Sequence, residues 1–239
     1  MTAVQARIAT ALARAGRPPD RIRIVAVSKT HPPESVAAAI RAGAIEIGEN
    51  RVQEAAEKKP LVEQLLKAQG LDPQRVRWHM VGRLQSNKAA KAAALFDVIQ
   101  SLDSLKLARK LNDAAAALGK RLEVLLEVNC SGEAAKAGVT SHECESLALE
   151  TATLSNLKLA GLMTVGPLTG DQSRIRAAFD SLRALKESLE LTHPGITAGW
   201  ELSMGMSDDF ELALAAGATM LRLGTVIFGQ RRSSTITGL

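Results

Sequence analysis

The chain has 239 residues, 46% of them hydrophobic and 23% charged, the balance of an ordinary globular protein. Lys and Arg number 30 against 25 Asp and Glu, a formal net charge of +5, and aromatic residues make up 3%; without a basic stripe carrying stacking aromatics, nucleic-acid binding is not expected. Tyr does not occur, which excludes any mechanism in which a phenol of this chain is acid, base or nucleophile.

In chain order, an amphipathic helix over residues 2–15 stops at Gly16, with Pro18 and Pro19 beyond it. The β-branched run 22–28 reads as the first strand. A helix over 33–42, ended by Gly43, leads to a strand at 44–48; a helix over 51–68 leads to a strand at 75–82. The same alternation gives a helix at 86–94, a strand at 96–102, a helix at 104–118 ended by Gly119, and a strand at 121–129. Then follow a helix at 141–153, a strand at 157–165, a helix at 172–190, a strand at 199–204, a short helix at 209–216 and a strand at 220–226. Eight strands alternating with helices in this length predict an α/β fold, a (β/α)8 TIM-type barrel with an extra N-terminal helix, in one domain over residues 1–239. The alternative is an open doubly wound sheet, disfavoured by the count of eight and by the lack of an early G-x-G-x-x-G.

The two cysteines, Cys130 and Cys144, have neither CxxC spacing nor a pair of histidines nearby, so neither a zinc site nor a disulfide framework is expected. The opening segment is interrupted by Arg7 and Arg14 and lacks the apolar stretch of a secretory signal. No run approaches the roughly 18 apolar residues of a membrane span. The expectation is a cytoplasmic protein without membrane contact.

In such a barrel, ligands meet the C-terminal ends of the strands. Residues just past those ends are Lys29, Asn50, Gly82, Asp103, Asn129, Thr164, Ser207 and Gly224. Alternation puts Val25, Val27 and Lys29 on one face of the first strand, so inward valines would aim Lys29 into the mouth. On strand five, Glu123, Leu125, Glu127 and Asn129 share a face and are expected inside, because the opposite face must pack on helices.

A lysine in a low-dielectric mouth loses some of its preference for the ammonium form and becomes fit for Schiff-base chemistry; the plainer reading is a solvated loop lysine. The segment from Gly205 through Met206 and Ser207 to the helix near Asp208 offers amides and a hydroxyl to a phosphate, or else Ser207 or Asp208 only caps that helix. Gly224 and Thr225 follow the eighth strand. Because barrels commonly bind phosphate on the loops after strands seven and eight, their coincidence favours the phosphate reading. Asn50 is a helix N-cap or a ligand contact. His79 beside Trp78 reads as a core histidine, Cys130 as a buried inert thiol, and Arg222 faces mouth or wall depending on register. The tail 230–239 is expected to be mobile.

The stretches AVSKTHP (26–32), GENRVQE (48–54), WHMVGRLQSNK (78–88), GLMTVGP (161–167), SMGMSDDFELALAAGATMLRLGT (203–225) and IFG (227–229) together resemble the pyridoxal 5′-phosphate homeostasis proteins, the YggS/PROSC family. The resemblance implies a fold-type III barrel similar to the N-terminal domain of alanine racemases, without their second, β-rich domain, for which the chain leaves no room after the eighth strand. It implies pyridoxal 5′-phosphate as cofactor, with Lys29 matching the lysine that forms the Schiff base. Met206, Ser207, Gly224 and Thr225 match the phosphate-holding positions, and Arg222 the arginine that approaches the pyridine nitrogen. Asn50, His79 and Met163 fall where the family lines the pocket. Such an arginine keeps the ring nitrogen largely unprotonated and the cofactor a poor electron sink.

The function implied is therefore a non-catalytic holder of the cofactor in vitamin B6 homeostasis and amino-acid balance. Its partners would be the cofactor and, transiently, apo-enzymes that use it. The sequence leaves the oligomeric state open, with no long exposed apolar stripe to favour a dimer over a monomer. The alternatives are an amino-acid racemase of the same fold, which needs a second base such as His79 or Cys130, and a barrel binding some other phosphate ester.

Overall fold

The computed structural model describes residues 1–19, 22–133 and 136–230. The tail from residue 231 onward, expected to be mobile, lies outside them. Helix α1 (Thr2–Arg14) precedes β1 (Arg23–Val27), α2 (Pro33–Arg41), β2 (Glu46–Glu49) and α3 (Val52–Ala68). There follow β3 (Arg77–Met80), α4 (Ala89–Leu95), β4 (Val98–Leu102), α5 (Leu105–Ala117), β5 (Leu122–Glu127), α6 (Ser141–Ala152), β6 (Leu157–Met163) and α7 (Gln172–Thr192). A turn of helix, α8 (Pro194–Thr197), leads to β7 (Glu201–Ser203), α9 (Phe210–Ala215), β8 (Met220–Leu223) and α10 (Thr225–Phe228). All neighbouring strands pair in parallel, and β8 returns to β1, closing the barrel in sequence order.

Each expected strand is present, most of them shorter at one or both ends than the apolar runs suggest, while β2 runs one residue past its expected end, to Glu49. The turns of helix at α8 and α10, and a 3-10 turn at Ser86–Lys88 ahead of α4, are too short to leave a periodic pattern. The extra helix α1 buries Val4, Ile8, Ala11 and Leu12 and lies against α9, where Arg7 meets Glu211 at 3.1 Å and stacks over the Phe210 ring. Arg17 donates to the carbonyls of Leu214 and Ala218, tying the end of α1 to the end of α9.

Two apolar layers result from the alternation of the strands. Outward residues such as Ala26, Ile47, Trp78, Val124, Leu126, Leu221 and Leu223 join the helices in one continuous core. Inside, Val98, Leu125, Ala160 and Met163 form a separate small cluster. The face of β5 carrying Glu123, Leu125 and Glu127 does line the interior, as its alternation requires. Val25 and Val27 also point inward: they flank Gly48 of β2, and Val25 is in register with inward Arg222.

The barrel floor is ionic. Arg23 bonds Glu46 at 2.8 Å and lies 3.5 Å from both Glu123 and Glu201, while Arg77 and Lys158 reach Glu123 at 3.2 and 3.6 Å. Such a layer of alternating charges fills the lower end of the barrel without leaving a buried charge unpaired.

Candidate functional site at the barrel mouth

Lys29 stands two residues beyond β1 and is half-buried. The backbone on both sides of it is clamped from behind the sheet. The buried Lys58 of α3 donates to the Ser28 carbonyl at 2.8 Å, to Glu49 Oε1 at 2.6 Å and to Glu54 Oε1 at 2.8 Å. Ser28 Oγ donates to the same Glu49 oxygen at 2.6 Å, and the Thr30 amide donates to Glu54 at 2.6 Å. Thr30 has φ +67°, the single left-handed non-glycine residue among those described, and a β-branched residue is unfavourable there. Strain of this kind survives only where the surroundings over-determine it, and here the Glu54 bond does so beside the candidate nucleophile. Burial pushes the Glu49 carboxyl up although Lys58 and Ser28 pull it down; burial also opposes ionisation of Glu54, but Lys58 and the Thr30 amide hold it below its ordinary value.

The ends of β7 and β8 supply the other half of the mouth. Gly205 has φ +93°, and a β-carbon there would meet Ala213 Cβ at 2.5 Å, so only glycine lets the chain turn sharply from β7 over α9. After that turn, Ser207 does not cap α9, whose N-cap is Asp209. Its hydroxyl oxygen instead crosses to β8 and accepts from the Gly224 and Val226 amides at 3.2 and 3.3 Å. The Met206 amide donates to Asp209 Oδ1 at 2.5 Å. Thr225 opens α10 and is exposed. The loops after β1 and β8 touch where His31 stacks on Phe228, ring centres 4.9 Å apart.

Arg222 resolves inward. It is 4% exposed, with Nη1 donating to Ser203 Oγ at 2.7 Å and Nη2 to the Thr164 carbonyl at 2.8 Å. Burial draws its pKa down to about 10, against the fields of Glu127 and Asp209, so it remains a cation at neutral pH. Glu127, at the end of β5, has its Oε2 buried without a hydrogen-bond partner. Burial pushes this carboxyl up to about 7, with Arg222 and Arg83 opposing the rise and Asp103 adding to it.

The other candidates divide. Asn50 is half-buried one residue before the N-cap of α3, Arg51, and so does not cap that helix. It borders a cavity of about 850 Å³ at the ends of β2 to β4, which also holds Arg51, Arg83, Lys88 and Lys106. Gly82 permits this arrangement, since a β-carbon there would strike the Asn50 carbonyl at 2.4 Å. Met163 is fully buried in the inner cluster. His79 is also fully buried, one layer below the rim, where both ring nitrogens face other interior side chains; it reaches the mouth only through them. Cys130 is partly buried, and burial pushes its thiol up to about 11 despite a bond with Thr164, in keeping with an inert thiol.

Sequence reasoning passed over Glu49, Glu54 and Lys58, whose pairing links the segments AVSKTHP and GENRVQE. It also passed over Gln100 and Ser203, polar residues on the inward faces of β4 and β7. Those two had a signal: each lies two residues from another inward position, Val98 and Glu201.

The family model described as alanine racemase, N-terminal domain, matches residues 1–232. A pyridoxal phosphate homeostasis protein of Vibrio alginolyticus is 42% identical over 218 residues, covering 91% of this chain and 90% of the relative. The structure of PipY from Synechococcus elongatus PCC7942 with PLP bound is 37% identical, with a TM-score of 0.77 over 93% of this chain and all of that one. An alanine racemase of Clostridium difficile 630 shares the barrel at 14% identity, TM-score 0.70, over 96% of this chain and 60% of its own. No helix among the described residues is long and apolar enough to cross a membrane. With both the family model and close relatives spanning nearly its whole length, the chain belongs to the alanine racemase N-terminal domain family and, within it, to the pyridoxal phosphate homeostasis proteins.

Proposed function

We propose that this chain binds pyridoxal 5′-phosphate in the barrel mouth and holds it without turnover, as part of vitamin B6 homeostasis and amino-acid balance. The barrel acts as one cofactor-binding domain, a cytoplasmic monomer that meets apo-enzymes transiently. The observation that carries the reading is the Ser207 hydroxyl, turned away from its own helix to the Gly224 and Val226 amides across β8, with Lys29 at the end of the adjoining strand β1. PipY, a relative with PLP bound, supports it.

Bound pyridoxal phosphate supplies an aldehyde and an electron-withdrawing ring, and the protein's part is to hold and orient them. Lys29 offers the amine that captures the aldehyde carbon. Ser207, Thr225 and the backbone at Met206 and Gly224 would take the phosphate, the Met206 and Gly224 amides exchanging their bonds to Asp209 and Ser207 for the anion. Arg222 presents donors to the ring nitrogen and, unable to yield a proton readily, leaves that nitrogen unprotonated. Asn50 and Met163 bound the pocket on the side of β2 and β6.

The test is an absorption spectrum of the purified protein titrated with pyridoxal phosphate, followed by borohydride and peptide mapping. A new visible band fixed by reduction onto Lys29 is expected. No band and no adduct would leave an anion-binding barrel and end the proposal. In the same titration Ser207→Ala weakens retention by about 1.5–3 kcal/mol, the effect of a lost charge-assisted hydrogen bond.

One observation favours a second reading, a racemase-like enzyme: Glu127 Oε2 is buried without a hydrogen-bond partner, and burial pushes this carboxyl up to about 7 against the field of Arg222. The bases first considered serve that reading poorly, His79 being sealed inside and the Cys130 thiol lying near 11. Exchange of the α-proton of amino acids for deuterium, catalysed by the loaded protein and lost in Glu127→Gln, would establish the enzyme.

A further inference from the structure

A line of polar side chains crosses the interior of the barrel from the ionic floor to Arg222 beneath the mouth. Arg222 Nη1 donates to Ser203 Oγ at 2.7 Å, and Ser203 Oγ donates to Gln100 Oε1 at 2.7 Å. Gln100 Nε2 lies 2.9 Å from His79 Nδ1 and also points at Met220 Sδ, 3.1 Å away. His79 Nε2 lies 2.7 Å from Glu46 Oε2, close but off the line of an ideal hydrogen bond, and Glu46 is held in turn by Arg23. His79, Gln100 and Ser203 are fully buried.

The two ends dictate the direction of every bond between them. A guanidinium only donates, and an ionised carboxylate only accepts. Ser203 therefore receives from Arg222 and must pass its one proton to the Gln100 carbonyl. The Gln100 amino group then faces His79 Nδ1, which has to be a bare lone pair. The ring proton sits on Nε2, toward Glu46. A second proton on His79 would set an N–H against the Gln100 amino group. Burial disfavours the imidazolium as well, with Arg23 and Arg77 adding to that and Glu46 opposing it. Glu46 stays ionised: burial alone would raise its pKa, but His79 and Arg23 bring it down to about 2.

We propose that Gln100 and His79 are positioning residues for Arg222: with Ser203 they form a polar line of fixed direction that locks the guanidinium in its plane beneath the mouth. This rests on the proposed cofactor reading for its consequence, because the locked guanidinium is the group offered to the pyridine nitrogen. With Nη1 held by β7 and Nη2 by β6, rotation of the guanidinium is blocked and its other N–H donors keep one orientation. Placing a bound ring's nitrogen then costs no reorganisation of the protein.

Two measurements test this. In the protein without cofactor, ¹⁵N NMR of labelled histidine rings from pH 5.5 to 8.5 should show His79 as the neutral Nε2–H form throughout. An Nδ1–H form, or titration of His79 within that range, would overturn the line's direction whatever the protein binds. In the loaded protein, Gln100→Leu and Ser203→Ala should each weaken pyridoxal phosphate binding about tenfold, the effect of one lost buried hydrogen bond. They should also shift the pyridine ¹⁵N resonance of ring-labelled cofactor, while inorganic phosphate binds as before. Ser203→Ala removes a single oxygen, so it remains informative where Gln100→Leu does not fold. Unchanged resonance and affinity in a folded variant would reject the positioning role. Failure of the wild type to bind the cofactor would instead reject the functional reading, leaving the histidine spectrum to decide the line itself.

Discussion

Lys29→Ala protein, mixed with pyridoxal phosphate and treated with borohydride, is expected to carry no adduct at any peptide, while the wild type is labelled at one. The expectation follows from placement, since Lys29 is one of twelve lysines in the chain. Lys29 is the lysine that follows β1 directly, in line with inward Val25 and Val27, and its backbone is held at Ser28 and Thr30 by Lys58 and Glu54. The phosphate donors around Ser207 and Gly224 lie on the loops after β7 and β8 and are untouched by the substitution. Residual noncovalent binding should therefore persist between about millimolar and micromolar, the range that a few charge-assisted bonds support. Mass spectrometry of the reduced protein and a fluorescence titration read the two effects separately. An adduct that survives in Lys29→Ala would move the site to another lysine. Loss of all binding would mean that the loops after β7 and β8 do not hold the phosphate.

Much of this was legible in the residues. Eight short apolar runs between helical segments foretold the barrel, and the alternation of Val25, Val27 and Lys29, or of Glu123 and Glu127, foretold which faces line it. The loops at Ser207 and Gly224 stood out because they close two adjacent strands at the end where barrels bind anions. What escaped was tertiary in origin. Lys58 falls in step with Val52, Ala55, Val62 and Leu66 on the buried stripe of α3, but the charged neighbours Glu57, Lys59 and Glu63 mask that spacing in the sequence. Only the packing of α3 on the sheet turns it inward to Glu49. Ser207 could have capped α9 on local grounds; the preference for Gly224 and Val226 depends on β8 lying alongside. His79 beside Trp78 read as a core histidine, and it is fully buried; which partners it would meet there was not legible, since they come from β2 and β4. Gln100 and Ser203 were passed over, and their link to Arg222, which had been singled out, was invisible, because inward positions at one level of a closed barrel come from strands far apart in sequence.

The clamp behind Lys29 carries the largest expected effect on stability. Lys58→Met leaves the Glu49 carboxyl, fully buried and with one oxygen already unpartnered, without its cation, and leaves the Ser28 carbonyl without its second donor. Breaking a buried pair from one side costs about 3–5 kcal/mol. In a chain of this size each kcal/mol lowers the melting temperature by roughly 2–4 °C, so a loss on the order of 10 °C is expected. The pH dependence has a definite sign. Burial already raises the Glu49 pKa in the folded protein, against the pull of Lys58, and removing that cation raises it further. A carboxyl whose folded pKa lies above its unfolded one favours the fold when protonated and loses that contribution as pH rises through the folded value. The deficit of Lys58→Met should therefore be greatest at neutral pH and above, and shrink as the medium is acidified. Glu49→Gln combined with Lys58→Met, which removes the buried charge altogether, should recover part of it. Adduct formation at Lys29 should slow in the single variant even below its melting temperature, because Ser28 loses the group that fixes its carbonyl and Glu54, which holds the strained Thr30, loses its cation. Melting curves of the three proteins between pH 5 and 8 settle the matter: a Lys58→Met deficit under 1 kcal/mol, or one that ignores pH, would show that the cluster is solvated and holds nothing in place.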